Sequence, residues 1–143
     1  MMTVDELMTR KLVTLPEEAD LHRIDDLLKL HHIRHLPIVR AGKLVGLVTH
    51  RDLLRAQARL RSGHGVTAGE VMTREVETIT PDTSVRHAIH RLLDDKFGCL
   101  PVVDEERRLV GIFTDSDAAR LAGRLLAERD NARSTGAAEG HAP

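Results

Sequence analysis

Leu44-Val45-Gly46-Leu47-Val48-Thr49-His50-Arg51-Asp52 reads as an apolar strand with one glycine, closed by a Thr-x-x-Asp ending, and the chain writes it again as Leu109-Val110-Gly111-Ile112-Phe113-Thr114-Asp115-Ser116-Asp117. Working outward, the flanks repeat in the same order. Leu36-Pro37-Ile38-Val39 is answered by Leu100-Pro101-Val102-Val103, Leu12-Val13-Thr14-Leu15 by Val76-Glu77-Thr78-Ile79, and Met8-Thr9-Arg10 by Met72-Thr73-Arg74. A repeat of this kind dictates the architecture, because each copy is one supersecondary unit that needs its neighbour to cover an exposed face. It also implies a pair of related sites.

Each copy opens on a Thr-x-x-Glu capping-box pattern, Thr3 to Glu6 and Thr67 to Glu70. A short β-branched and aliphatic strand follows, ended by Pro16 or Pro81. Leu21, Ile24, Leu27 and Leu28, then Val85, Ala88, Ile89, Leu92 and Leu93, fall at helical spacing, and Asp82, Thr83 and Ser84 offer caps for the second helix. Two strands then form a hairpin in each copy, about 36–40 with 43–48 and 100–103 with 108–113, around Ala41-Gly42 and Asp104-Glu105-Glu106. A last helix runs from His50 to about Leu60, and from Asp115 to about Leu126. The prediction is a mixed α/β (α+β) fold of two β-α-β-β-α repeats, residues 3–61 and 67–126, packed sheet to sheet with pseudo-twofold symmetry around one shared core. Residues 62–66, containing Ser62-Gly63-His64-Gly65, form the linker. Residues 127–143 form a tail, and its stretch from Asn131 onward has no apolar period and is expected to be disordered.

The composition narrows the function. At 143 residues the chain is one domain's worth, and 21 basic against 22 acidic residues make no electrostatic case for nucleic acid. Two Phe and no Trp or Tyr leave almost no base-stacking surface. The single cysteine, Cys99, forbids an intrachain disulfide and any CxxC site, and its apolar surroundings mark it as a core residue. No stretch has the length of a membrane span and no signal peptide is visible, so a soluble cytoplasmic protein is expected.

In these doubled features, the early Met-Thr, the Leu-Pro strand and the Gly-h-h-Thr-x-x-Asp ending (h, an apolar residue), the chain resembles a tandem CBS-domain pair, or Bateman module. The similarity covers residues 3 to about 126 and shows no attached catalytic, channel or transporter domain, as in a stand-alone CBS protein. The resemblance implies a non-catalytic regulatory sensor that binds adenosine derivatives (AMP, ADP, ATP or S-adenosylmethionine) in clefts between the repeats. It needs no cofactor, forms a disc-shaped homodimer and acts on an unidentified regulated protein.

The same resemblance names the ligand-contacting residues. Asp52 and Asp117 would accept the ribose hydroxyls, while Thr49, Thr114 and Ser116 sit at a helix N-terminus suited to phosphate. Thr14, Leu15, Thr78 and Ile79 would meet base or phosphate along a strand edge. Leu36, Leu100, Ile38 and Val102, around Pro37 and Pro101, would sandwich the adenine; the alternative for these four is core packing, and for the prolines turn geometry. Thr-x-x-Asp is equally a capping box, which needs no ligand. Arg34, with His35 beside it, and Arg51 would add phosphate contacts in the first copy, where the second has Gly98 and Asp115. The first copy's site is therefore expected to tolerate more phosphates than the second.

His31, His32 and His35 fall at a spacing that could chelate, but the helix should end before Pro37 and no further ligand joins them, so a solvated or phosphate-facing cluster is expected, with no metal site. Such a cluster would make anion binding pH-dependent. No nucleophile with its base, P-loop or HExxH is present, so no enzyme is expected. Two other functions stay open: an interaction and dimerisation module with unoccupied sites, and a metal-responsive regulator using the histidines.

Overall fold

The computed structural model describes residues 1–59, 65–95 and 98–140, with side chains as far as 136. Residues 62–64 of the expected linker, Leu60, Phe97 and the last three residues of the tail lie outside the described residues.

The first copy runs through a 3-10 turn (Val4–Glu6), α1 (Leu21–His31), β1 (His35–Arg40), β2 (Lys43–Thr49) and α2 (His50–Arg59). The second runs through α3 (Ala68–Val71), α4 (Val85–Asp94), β3 (Cys99–Val103), β4 (Leu109–Thr114) and α5 (Asp115–Gly140). Asp20 caps α1 by accepting from the Arg23 N–H at 2.8 Å, and Ser84 caps α4 by accepting from the His87 N–H at 3.1 Å. Of the two opening boxes only the first is closed by a side chain: the Thr3 N–H donates to Glu6 Oε2 at 2.7 Å, whereas Thr67 makes no side-chain cap bond.

Both hairpins are antiparallel, β1 with β2 and β3 with β4. Ala41 and Gly42 join the first pair with φ of 51° and 79°, the doubly positive geometry that matches strand twist. In the second turn the Asp104 Oδ1 accepts from the Glu106 and Arg108 N–H groups at 3.0 and 2.9 Å. The hairpins meet where Lys43 bridges Arg108, with the Leu44 N–H donating to the Arg107 carbonyl at 3.2 Å and the Leu109 N–H to that of Gly42 at 3.1 Å.

The expected first strand of each copy shrinks to a single parallel bridge, Leu15 to Ile38 and Ile79 to Val102. Leu15 donates to the Pro37 carbonyl at 3.2 Å and accepts from Val39 at 3.0 Å, but the next residue, Pro16, opens a turn, its carbonyl accepting from the Ala19 N–H at 3.2 Å. After Ile79, Thr80 is tied into a turn, its N–H donating to Thr83 Oγ1 at 3.1 Å.

The single shared core expected from sequence is replaced by two cores that exchange their first segments. Ala68 and Met72, from the start of the second copy, pack with Leu21, Ile24, Leu36, Ile38, Val48 and Leu53 of the first. Val4 and Met8, from the start of the first copy, pack with Val85, Leu92, Leu100, Val102, Phe113 and Leu121 of the second. Backbone bonds hold the exchange, Val4 N–H to the Thr83 carbonyl at 2.8 Å and Ala68 N–H to that of Ala19 at 2.7 Å. The repeated glycines make room for it: a Cβ on Gly111 would lie 2.9 Å from Met8 Cγ, and one on Gly46 would strike the Met72 thioether and lie 3.0 Å from the Thr73 carbonyl oxygen.

α5 continues as helix to Gly140, where the sequence predicted a tail from residue 127, disordered from Asn131. From Ala122 to Gly136 every residue is exposed, so the extension rests on the strong helix propensity of its Ala, Leu, Arg and Glu residues rather than on packing.

Cys99 is fully buried, as its apolar run implied. Burial, reinforced by the charges of Asp95, Asp115 and Asp117, pushes its thiol well above its ordinary value of 9.0. The folded chain therefore holds the neutral thiol. Stability from that burial is complete below the unfolded thiol's pKa and falls as the pH rises beyond it. Labelling by a thiol-specific disulfide reagent at neutral pH is expected to be slow and to accelerate across the urea unfolding transition. Immediate labelling of folded protein would contradict the buried placement.

Candidate functional site

Both Thr-x-x-Asp endings fold as helix starts. In the first copy the Thr49 N–H donates to Asp52 Oδ2 at 2.9 Å and the Asp52 N–H donates to Thr49 Oγ1 at 3.1 Å, a closed capping box. In the second, the Thr114 N–H and hydroxyl both donate to Asp117 Oδ2, at 2.8 and 3.2 Å. Asp117 Oδ1 takes two more donors, Thr9 Oγ1 at 2.9 Å and Arg120 Nη2 at 2.6 Å. The Asp117 side chain is only 2% exposed, and this ring of donors is what permits a buried charge.

The donors come from opposite ends of the chain. Thr9 is held against β4 by a two-bond bridge to Ile112, at 2.8 and 3.0 Å, which aims its hydroxyl at the carboxylate. Arg120 lies one turn along α5 from Asp117.

Beside this cluster opens a cleft of about 470 Å³. Its first-copy wall comprises Thr9, Lys11, Leu12, Val13, and the α1–β1 junction His32, Ile33, Arg34, His35 and Pro37. Its second-copy wall comprises Gly98, Ile112, Thr114, Asp115, Ser116 and Arg120. The α1–β1 junction is shaped by His32, whose left-handed φ of 52° ends the helix with its N–H on the Leu28 carbonyl. Across the cleft Gly98 has φ of 68°, and a Cβ there would lie 2.6 Å from Asp115 Oδ2, so the carboxylate takes the space a side chain would fill.

The cleft is basic on balance. Lys11, Arg34 and Arg120 face the single lining carboxylate of Asp115, with His32 and His35 beside them. The first turn of α5 adds N–H groups at the same wall. Such a surface favours an anion.

The residues singled out in the sequence divide three ways. Arg34, His35, Pro37, Thr114 and Ser116 line this cleft, and Asp117 lies behind it through its bonds to Thr9, Thr114 and Arg120. Thr49, Arg51 and Asp52 belong to the other ending and are absent from its walls. Leu36 and Leu100 are 0% exposed, Pro101 is fully buried, and Leu15 and Ile79 sit in the two cores, so these five are packing residues here; Thr14 and Thr78 are half-buried beside them.

To the within-copy grouping that underlay the expected asymmetry the structure adds one across the copies. Arg34 stays beside the first ending, its carbonyl accepting from the His50 N–H at 2.8 Å, and it also lines the cleft with Gly98, Asp115 and Ser116 of the second copy. The cause is the segment exchange, which bridges Thr9 of the first copy to Ile112 on β4 of the second. Thr9, Lys11 and Arg120 were missed as site residues. The signal existed: Met-Thr-Arg and Asp-x-x-Arg are both written twice, at Met8 and Met72, and at Asp52 and Asp117.

His31 is exposed and lies outside the cleft lining, so the three histidines do not act as one group. Among the described residues no three His, Cys, Asp or Glu side chains converge as a metal site.

The family model for the CBS domain matches the chain twice, at residues 4–59 and 68–124. The chain belongs to the CBS-domain family. It is a tandem CBS pair, with the mixed helix and strand fold of solved CBS pairs. A Vibrio cholerae protein assigned by name to acetoin utilization (AcuB) superposes with a TM-score of 0.83 at 37% identity, over 92% of this chain and 97% of that one. The CBS pair of protein MJ0100, solved with 5′-methylthioadenosine and S-adenosylmethionine, gives 0.77 at 35% identity, over 86% and 97%. CBSX2, a CBS-pair protein of Arabidopsis thaliana, was solved with AMP and gives 0.79 at 29% identity, over 87% and 98%.

Curated relatives include enzymes, but the chain spans only about a quarter of the length of those it matches. The L-aspartate semialdehyde sulfurtransferase of Methanocaldococcus jannaschii is 36% identical over 121 residues, which are 84% of this chain and 23% of that protein. Among the described residues no helix is long and apolar enough to cross a membrane.

Proposed function

We propose that this CBS pair is a non-catalytic regulatory module that binds an adenosine derivative in the cleft between its copies. One observation carries the reading: basic side chains Lys11, Arg34 and Arg120 and the start of α5 border the same cleft as Thr9 and Thr114, which position the Asp117 carboxylate. A carboxylate can accept both hydroxyls of a ribose while N–H groups and cations take a phosphate. The complexes of MJ0100 and CBSX2 support the ligand class, AMP, ADP, ATP or S-adenosylmethionine. Association into a homodimer, action on a regulated protein and a cytoplasmic location belong to the same reading. The ligand would act by binding one conformation of the assembly more tightly than another.

Calorimetric titration of nucleotide-stripped protein with AMP, ADP, ATP and S-adenosylmethionine tests it. Saturable heat with at least one of them is expected. Lacking Trp and Tyr, the protein absorbs little at 280 nm, so carried-over nucleotide is visible at 260 nm beforehand. No heat with any of them, in folded protein, would sink the reading. An interaction module with unoccupied sites would then stand, and one observation favours it: both Asp117 oxygens already have partners within the chain.

A further inference from the structure

The sequence writes the same three residues twice, Thr9, Asp117 and Arg120 in one set and Thr73, Asp52 and Arg55 in the other. Only the first set closes: among the described residues neither Thr73 nor Arg55 bonds to Asp52, whereas Thr9 and Arg120 both bond to Asp117. A ribose that used Asp117 would need an acceptor oxygen that the chain itself occupies. Oδ2 is held by the Thr114 N–H and hydroxyl, which are part of the helix start. On Oδ1, Thr9 is fixed by its backbone bridge to Ile112. Arg120 is the partner free to move, its side chain 68% exposed on a helix surface.

Leaving Asp117 strands a guanidinium unless another anion meets it. Arg120 already lines the cleft, opposite a wall that carries Lys11 and Arg34. We propose that Arg120 is the specificity-determining residue of this cleft: it pairs with Asp117 while the cleft is empty and passes to the ligand's phosphate when the ribose takes Asp117 Oδ1. The cleft thereby selects phosphorylated adenosine ligands over those that carry no anionic group, such as adenosine and methylthioadenosine. The inference rests on the adenosine reading above. An uncharged ligand must break the Arg120–Asp117 pair without replacing it.

The test compares AMP with adenosine by calorimetry, in an Asp52→Ala background so that the heat reports the Asp117 cleft. With Arg120 present, AMP is expected to bind about tenfold more tightly than adenosine, or better, as a charge-assisted contact implies. Arg120→Gln is expected to weaken AMP and to leave adenosine unchanged or tighter, since no ion pair then competes for Oδ1. Arg120→Lys keeps a charge and is expected to restore part of the preference. Parallel weakening of both ligands in Arg120→Gln, or an unchanged ratio, would overturn the proposal while leaving the adenosine reading in place. Failure of the protein with both Asp52 and Arg120 intact to bind AMP, ADP, ATP or S-adenosylmethionine would overturn the adenosine reading and this proposal with it, and binding of AMP that disappears in Asp52→Ala alone would overturn this proposal only. Thermal unfolding of each variant, run alongside, checks that the comparison is made on folded protein.

Discussion

Met8→Ala is expected to cost about 2–5 kcal/mol of stability, the usual range for emptying a buried methionine site, and to loosen the half of the molecule to which Met8 does not belong by sequence. Met8 is packed into the second core with Val4, Phe113 and Leu121, and its thioether lies against Gly111. Urea denaturation reads the size of the loss and amide hydrogen exchange reads its place. Protection is expected to fall first in β3 and β4, while β1 and β2 keep theirs. Met72→Ala is expected to give the mirror result, because Met72 completes the first core and lies against Gly46. Loss of protection confined to the mutated residue's own copy would refute the exchange of segments.

The second large effect concerns the two aspartates without any ligand. Asp117→Ala removes the acceptor for the Thr114 N–H, the Thr9 hydroxyl and Arg120 from a site that is 2% exposed, and about 3 kcal/mol should be lost. Most of that loss comes from the half-buried Thr9 and Thr114 donors left without a partner, since the exposed Arg120 guanidinium regains water. Asp52→Ala removes a capping contact from a half-buried residue and should cost about 1 kcal/mol. Denaturation midpoints of the two variants in nucleotide-free buffer test the difference, and equal losses would contradict it. A loss of nucleotide binding in Asp117→Ala is therefore informative only where the variant is shown to be folded.

Much of the fold was legible because it rests on local rules. The 3.6-residue spacing of Leu21, Ile24, Leu27 and Leu28 placed α1, and the Ala41-Gly42 turn placed the first hairpin. Burial of Cys99 followed from the apolar run around it. The expected leading strands failed because strand propensity does not count ladder partners: Leu15 and Ile79 each pair at one residue, and Pro16 or the Thr80 turn ends the pairing there. The helical extension of α5 was misread because composition alone does not separate an exposed helix from a disordered tail when neither buries anything.

The candidate site was legible in its parts and not in its assembly. Thr114, Ser116 and Asp117 were singled out by the repeated ending, and Arg34 by its place before Pro37. Their meeting in one cleft could not be inferred, since each copy, taken alone, suggests that its own residues work together.

By itself the sequence determined that this protein is a doubled unit with two Thr-x-x-Asp helix starts, glycines at fixed places in the strands and no charge pattern for nucleic acid. Repetition, periodicity and capping are properties of neighbouring residues, and neighbours are what a sequence records. The tertiary structure decided which half completes which core, which wall faces Asp117, and that Arg120 occupies its carboxylate. Those are contacts between residues far apart in the chain, and they depend on how two related units cover each other's exposed apolar faces, a choice that burial energy makes only once both are folded.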